Sequence, residues 1–314
     1  MKVCAACSQT LPRENFSKKQ WQMKQQRRCK GCIADNREVA TVNLIRNKTL
    51  SGREAEDVAW ALALATEEPM KEILDDDLFR KPHEEECPIC LSTLEFDVNS
   101  KVYMSCCGKL VCIGCDYGMS RVEDGEDPCP FCRTTTIGKK APTITGMDGE
   151  LIKLRKRIDA NDPVAIFVMA NMYRGGKHGL RQDKRKAFEY MLRSAQLGNA
   201  DANYDLGCTH CNKGDMTKAT YYWSLAAMHG HAGARHNLGM HELNNKNPSR
   251  AMQHFRLAAE QGYTESMYNI KDMKSTGFIS EQECDEILKA HKEVVAGKKS
   301  DQRDRARGIA DFSS

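Results

Sequence analysis

Twelve of the chain's 15 cysteines fall into two compact groups with the spacing of metal ligands. The first is Cys4, Cys7, Cys29 and Cys32, two CxxC pairs at a separation typical of a single treble-clef or ribbon-like zinc site. The second places Cys87, Cys90, Cys106, Cys107, Cys112, Cys115, Cys129 and Cys132 within 46 residues. Eight thiols suffice for two four-coordinate ions, so the chain as a whole is expected to hold three zinc ions. A tetrahedral zinc with thiolates at ~2.3 Å has no position left for water, which makes these structural ions and not Lewis acids. The 46-residue segment has few large apolar side chains, so the metal must fold it: a structural zinc supplies on the order of 10 to 16 kcal/mol of apparent binding energy.

The run of the second group, opening with Cys87-Pro-Ile-Cys90 and closing with Cys129-Pro-Phe-Cys132-Arg133, resembles the RING finger of ubiquitin ligases. The resemblance implies that the first and third ligand pairs share one zinc, here Cys87, Cys90, Cys112 and Cys115. The second and fourth share the other, here Cys106, Cys107, Cys129 and Cys132. One departure stands out. Where the common RING has Cys-Gly-His, this chain has Cys107-Gly108-Lys109, and a protonated lysine cannot coordinate zinc. Adjacent Cys106 is the natural substitute and gives an all-cysteine variant; His83 is the competitor, read as a solvated loop histidine. A RING carries no nucleophile. The resemblance implies that it holds a ubiquitin-loaded conjugating enzyme so that the thioester is oriented for attack by a substrate lysine. Ile89, Met119 and Pro130 match the family's contact positions for that enzyme, and Arg133 matches the cation that bridges conjugating enzyme and ubiquitin. The competing assignment makes the first three packing for the zinc loops and Arg133 a solvated charge; Met119 also stands where many ligases have an aromatic.

The head is basic. Residues 1 to 32 carry eight Lys/Arg and one acid, a surplus of +7 that leaves −3 for the rest of a chain of net charge +4. Phe16 and Trp21 lie among Lys18, Lys19, Lys24, Arg27, Arg28 and Lys30, and such interleaving can grip phosphates and stack on bases. Nucleic-acid binding through residues 16–30 is nevertheless the less favoured reading, because a charge run is usually a solvated face and the two aromatics suffice as the core of a small zinc knuckle.

These sites must be carried by elements, and the C-terminal half supplies a regular one. Residues 200–230 laid over 232–262 give ten identities at an offset of 32, among them Ala202/Ala234, Leu206/Leu238, Gly207/Gly239, Ala219/Ala251, Ala226/Ala258, Ala227/Ala259 and Gly230/Gly262. An earlier copy runs from Ala165 to Gly198 with a longer inner loop. A period of 32 to 37 belongs to helix pairs stacked into a solenoid. Trp223 and Phe255 are expected to fill the gap between pairs, and the closing glycines suit helix C-caps. The pattern Ala-x3-Leu-Gly, Lys/Arg-Ala, Ala-Ala-x2-Gly resembles Sel-one-like repeats, relatives of the tetratricopeptide repeat. A helix after Ser280, with Glu283 in capping-box position, reads as the terminal cap. The fold class is therefore mostly α. The expected organisation is a zinc module at 1–35, a helical connector at 36–84, the RING at 85–135, a linker at 136–147, the solenoid with its cap at 148–295, and a disordered tail at 296–314.

Other features exclude functions. The longest nearly apolar run, residues 58–65, is far short of the ~20 residues of a bilayer span, and the start has no signal core. A cytoplasmic or nuclear setting without membrane contact follows, in which thiols stay reduced. Cys208 and Cys211 imitate a metal half-site but read as ordinary buried thiols; Cys284 is alone. No Gly-rich phosphate loop, paired-carboxylate site or serine triad is evident. The expectation is a ubiquitin-protein ligase whose zinc finger takes the conjugating enzyme with its ubiquitin, and whose solenoid takes a protein substrate. The alternative is a non-catalytic zinc adaptor whose basic head binds nucleic acid or an acidic partner.

Overall fold

The structure, a computed structural model, describes residues 2–3, 10–11, 14, 70, 72–82, 85–95, 100–119, 129–134 and 144–310. The chain divides into two compact units, Met1–Pro69 and Met70–Ser314. In the first, β1 (Lys2–Val3) pairs antiparallel with β2 (Thr10–Leu11), Lys2 opposite Leu11. The head cysteines Cys4, Cys7, Cys29 and Cys32, the aromatics Phe16 and Trp21, connector residues 36–69 and His83 lie outside the described residues.

The second unit is mostly helical. Helix α3 (Ile144–Asp159) buries Leu151, Leu154 and Ile158 on one face. The repeats follow as α4 (Pro163–Gly175) with α5 (Lys184–Gln196), α6 (Ala200–Asn212) with α7 (Met216–Met228), and α8 (Ala232–Asn244) with α9 (Pro248–Glu260). Each pair starts from a capped end. Asp162 accepts from the amides of Val164 and Ala165 ahead of α4, with Pro163 at the first helical position, and Asn199 does the same for α6 through Ala202. Each pair ends on a glycine in the left-handed region, Gly198, Gly230 and Gly262 at φ 86°, 87° and 88°, where a side chain would be strained. Helices α10 (Thr264–Ser275) and α11 (Glu281–Gly297) close the stack, and Ser280 and Glu283 form a reciprocal capping box. Among the described residues no helix is long and apolar enough to cross a membrane.

Trp223 and Phe255 do more than fill the space between pairs. A Cβ on Gly207 would lie 2.4 Å from Trp223 Cδ1, and one on Gly239 would lie 2.6 Å from Phe255 Cε1. Each ring therefore rests on the glycine of its own pair's first helix, which brings the two helices together. It also reaches the next pair: Trp223 packs with Ala234 and Leu238, and Phe255 with Met267 and Ile270.

Three expectations are corrected. The described end of the connector, residues 72–82, holds one helical turn, α1 (Asp75–Leu78), inside an otherwise irregular segment laid on the solenoid. Arg235, wholly buried on α8, donates to the carbonyls of Leu78 (2.8 Å) and Arg80 (3.0 Å), Leu78 enters the Trp223 cluster, and Arg250 holds both Asp75 oxygens at 2.5 and 3.0 Å. Helix α3 begins at Ile144, inside the expected linker, because its Leu151, Leu154 and Ile158 packing overrides the weak helix preference of Thr145 and Gly146. The tail expected to be disordered forms α12 (Asp301–Ala310), which docks on the zinc module.

Candidate metal centre

The expected RING residues form a small module on one edge of the solenoid. A hairpin of β3 (Lys101–Met104) and β4 (Lys109–Cys112), with Tyr103 opposite Leu110, leads directly into α2 (Ile113–Met119). Its core is thin: Cys87, Leu94, Val111, Cys112 and Cys115, with the partly buried Val102, Met104, Leu110, Met119 and Phe131 packed against it. That composition cannot hold a fold by area burial alone.

Two matching turns present the CxxC pairs. The Leu91 amide donates to Cys87 O at 2.8 Å and the Cys87 amide to Ser92 O at 2.9 Å; the Arg133 amide donates to Cys129 O at 2.8 Å and the Cys129 amide to Thr134 O at 2.9 Å. In both turns the residue after the second cysteine is left-handed, Leu91 at φ 59° and Arg133 at φ 57°. The third turn, before β4, puts two neighbouring thiols on one site. The Cys107 and Gly108 amides both donate to Met104 O, and Gly108 takes φ 74°.

The eight sulfurs gather as Cys87, Cys90, Cys112 and Cys115, and as Cys106, Cys107, Cys129 and Cys132, each set within 4.8 Å. The residues fit a zinc ion: a tetrahedron with bonds of ~2.3 Å has edges of about 3.8 Å. The Cys90 and Cys112 sulfurs are 3.8 Å apart, and those of Cys107 and Cys129 are 3.7 Å apart. Amides of Cys112 and Cys115 point at the sulfurs of Cys87 and Cys112, both at 3.4 Å, as they would toward thiolates. Lys109 is exposed on β4 and joins neither set. Cys208 and Cys211 join no such group among the described residues, and Cys284 is buried in the α10–α11 core.

Protonation is split within each set. Burial works to raise the Cys90 thiol, but hydrogen bonds from the Ser92 amide and hydroxyl and from Cys115 and Cys87 bring it down to about 6. The Thr134 hydroxyl and amide bring Cys132 to about 6 as well. Burial pushes Cys106, Cys107 and Cys115 up. Zinc takes thiolates and not thiols, so metal uptake at these sites must release protons. Metal analysis of the purified chain should find three zinc ions, two in these sets and one at Cys4, Cys7, Cys29 and Cys32. A count of two would mean that either the head site or the Cys106/Cys107 site is misread.

The other expected site residues surround the module. Ile89 and Pro130 are exposed in the two matching turns, Met119 is half-buried at the end of α2, and Arg133 is exposed, its guanidinium making no hydrogen bond or ion pair to any described residue. Sequence reading missed the groups that fix the module in place. Tyr103 Oη donates to Asp162 Oδ2 at 2.6 Å, Lys101 pairs with Asp201 at 3.1 Å, and Arg157 donates to Cys106 O at 3.3 Å. Burial and the Asp162 carboxylate push the Tyr103 phenol up, keeping it a donor. Arg303 of α12 points at Cys90 Sγ from 3.8 Å. None of these had a spacing signal to find.

Residues 163–199, 200–231 and 232–263 match the Sel1 repeat family, so this stretch carries three Sel1 repeats. The chain is similar to the crystal structure of a Sel1 repeat protein from Oxalobacter formigenes, at 24% identity and a TM-score of 0.37, over 39% of this chain and 98% of that one. It is also similar to a protective antigen present in uropathogenic Escherichia coli strains, a protein with an SLR fold, at 20% identity and a TM-score of 0.38, over 54% of this chain and 40% of that one. No curated protein matches the chain.

Proposed function

We propose that this chain is a RING-type ubiquitin-protein ligase whose zinc module takes a ubiquitin-loaded conjugating enzyme and whose Sel1 repeats take the protein substrate. The observation that carries the reading is the interleaving of the thiols: the first CxxC joins the pair at Cys112 and Cys115, across the pair that joins the last CxxC. That cross-over ties the turn bearing Ile89, the start of α2 and the turn bearing Pro130 into one rigid surface. Zinc supplies only rigidity there. Catalysis would lie in holding the thioester in an attack geometry, with the Arg133 guanidinium offered to carbonyls of ubiquitin and the conjugating enzyme. Repeats of the Sel1 type serve protein–protein interaction, which suits substrate recruitment.

The second reading, a zinc adaptor whose basic head binds nucleic acid or an acidic partner, is favoured by the +7 surplus and by Lys109. Autoubiquitination with purified components and a panel of conjugating enzymes decides between them, and inactivity with every enzyme favours the adaptor.

Arg133→Ala sharpens the test. The side chain is exposed, and alanine keeps a Cβ at the same left-handed position, so zinc and fold should stay intact. A lost hydrogen bond from a charged donor is worth ~1.5 to 3 kcal/mol, so discharge should fall roughly tenfold or more. Ile89→Ala should instead raise the concentration of conjugating enzyme required, because it removes an exposed anchor and not a transition-state contact. Wild-type discharge by Arg133→Ala would remove the bridging role.

A further inference from the structure

We infer that Arg303 of α12 is a supporting cation of the first metal site, its guanidinium balancing the charge of the Cys87, Cys90, Cys112 and Cys115 thiolates around zinc and holding Cys90 in place. The inference rests on zinc occupying those four thiols, and it holds whether or not the module is a ligase.

Cys90 is the exposed member of its set, while Cys87, Cys112 and Cys115 are buried. Arg303 reaches it from 213 residues further along the chain. The arginine is 2% exposed, and its Nη2 points at Cys90 Sγ from 3.8 Å. Through Nη1 it donates to Thr93 O at 3.4 Å and to Lys298 O at 3.0 Å, so two carbonyls fix the guanidinium against the sulfur. Gly114 on α2 makes this approach possible. A Cβ there would stand 2.7 Å from Arg303 Cγ and 2.8 Å from its backbone nitrogen, so a side chain at that position would push α12 away. The second set is served differently. Its exposed sulfur, Cys132, has the nearby Thr134 Oγ1 at 3.2 Å, and Arg157 donates to the Cys106 carbonyl at 3.3 Å.

A guanidinium taken out of water needs an anion beside it. No carboxylate stands among the partners described for Arg303, and the nearby Glu95 is paired with Arg307. Four thiols are neutral, whereas four thiolates outweigh one divalent ion by two negative charges. The loaded site therefore supplies the counter-charge that the buried arginine lacks. An N–H on a ligating sulfur also fixes its direction and tempers its charge, as outer partners of metal ligands do. The linkage runs both ways. A helix of ten residues is marginal on its own, so a loaded site stabilises docked α12, and docked α12 stabilises the loaded site by the same amount.

The test uses the zinc-loaded full chain, the variants Arg303→Met, Arg303→Lys and Arg307→Met, and a chain ending at Lys299. Each is titrated with a competing chelator while zinc release is followed, and the cadmium-substituted forms are compared by cadmium NMR, in which each tetrathiolate site gives its own resonance. Arg303→Met and the shortened chain should hold one zinc ion roughly tenfold or more weakly than the wild type, the usual effect of removing an outer partner of a metal ligand, and should move one cadmium resonance. Arg303→Lys keeps the charge and should recover part of the affinity. Arg307→Met removes the pairing with Glu95 but leaves the sulfur its partner, and should release zinc as the wild type does. Wild-type affinity and cadmium spectrum in Arg303→Met would overturn the inference, as would a lysine no better than methionine. Equal weakening by Arg307→Met would make α12 a prop for the module and remove the role of the guanidinium. An unchanged metal count in Cys112→Ser would bring down the first metal site itself, and the role of Arg303 with it.

Discussion

Cys112→Ser should strip the first site of its zinc and melt the module from 85 to 134 while the solenoid stays helical. Cys112 closes β4, is 2% exposed, and its sulfur stands 3.8 Å from Cys90 and takes the Cys115 amide. A serine hydroxyl is a poor, protonated substitute for a thiolate, so the ion loses a quarter of its shell. The apolar remainder, Leu94 and Val111 with half-buried neighbours, cannot replace on the order of 10 to 16 kcal/mol of metal binding. The second site shares the hairpin and should fail with the first. Metal analysis should therefore fall by one to two ions, proteolysis should open the region of the hairpin, and far-UV circular dichroism should keep most of its helical signal. Loss of the Tyr103–Asp162 and Lys101–Asp201 contacts should cost the solenoid only a small drop in Tm. Undiminished zinc in this variant would mean that the first set is not a metal site.

The contrast between what spacing announces and what it hides follows from the kind of physics involved. Cysteine pairs and a period of 32 residues are periodic or stoichiometric signals, and they survive in one dimension. The docking groups do not. Asp162 has no motif of its own, yet one carboxylate oxygen caps α4 and the other receives Tyr103. Arg235 sits at the repeat position occupied by Asn203 in the preceding copy, and nothing about an arginine there says that it will be wholly buried on two carbonyls more than 150 residues earlier. Residues 301–310 carry four charges in the first five positions and no apolar stripe, which reads as disorder; they fold because glycines on α2 admit a backbone and an arginine finds sulfur and carbonyl partners. Long-range polar complementarity has no period, so composition points the wrong way.

Gly239→Ala should destabilise the solenoid by about 1 to 3 kcal/mol, although alanine is the better helix former, and Phe255→Ala should cost about 3 to 5 kcal/mol. The added Cβ would fall 2.6 to 3.0 Å from three atoms of a phenylalanine ring that is fully buried, so the ring must turn or α8 and α9 must part. Neither is cheap. The ring is closed in by Met267, Ile270 and Ile287, and α8 is tied to residues 72–82 through Arg235. The decisive measurement is the double substitution, followed by thermal or urea unfolding. With Phe255 already truncated, the new methyl enters a cavity and meets no ring, so Gly239→Ala in that background should be neutral or stabilising. The two effects must then fail to add by at least ~1 kcal/mol, as expected of side chains in direct contact. Simple additivity would mean that the glycine is not there to admit the ring. The same experiment on Gly207 and Trp223, 32 residues earlier, should give the same sign, since the Cβ contact there is 2.4 Å.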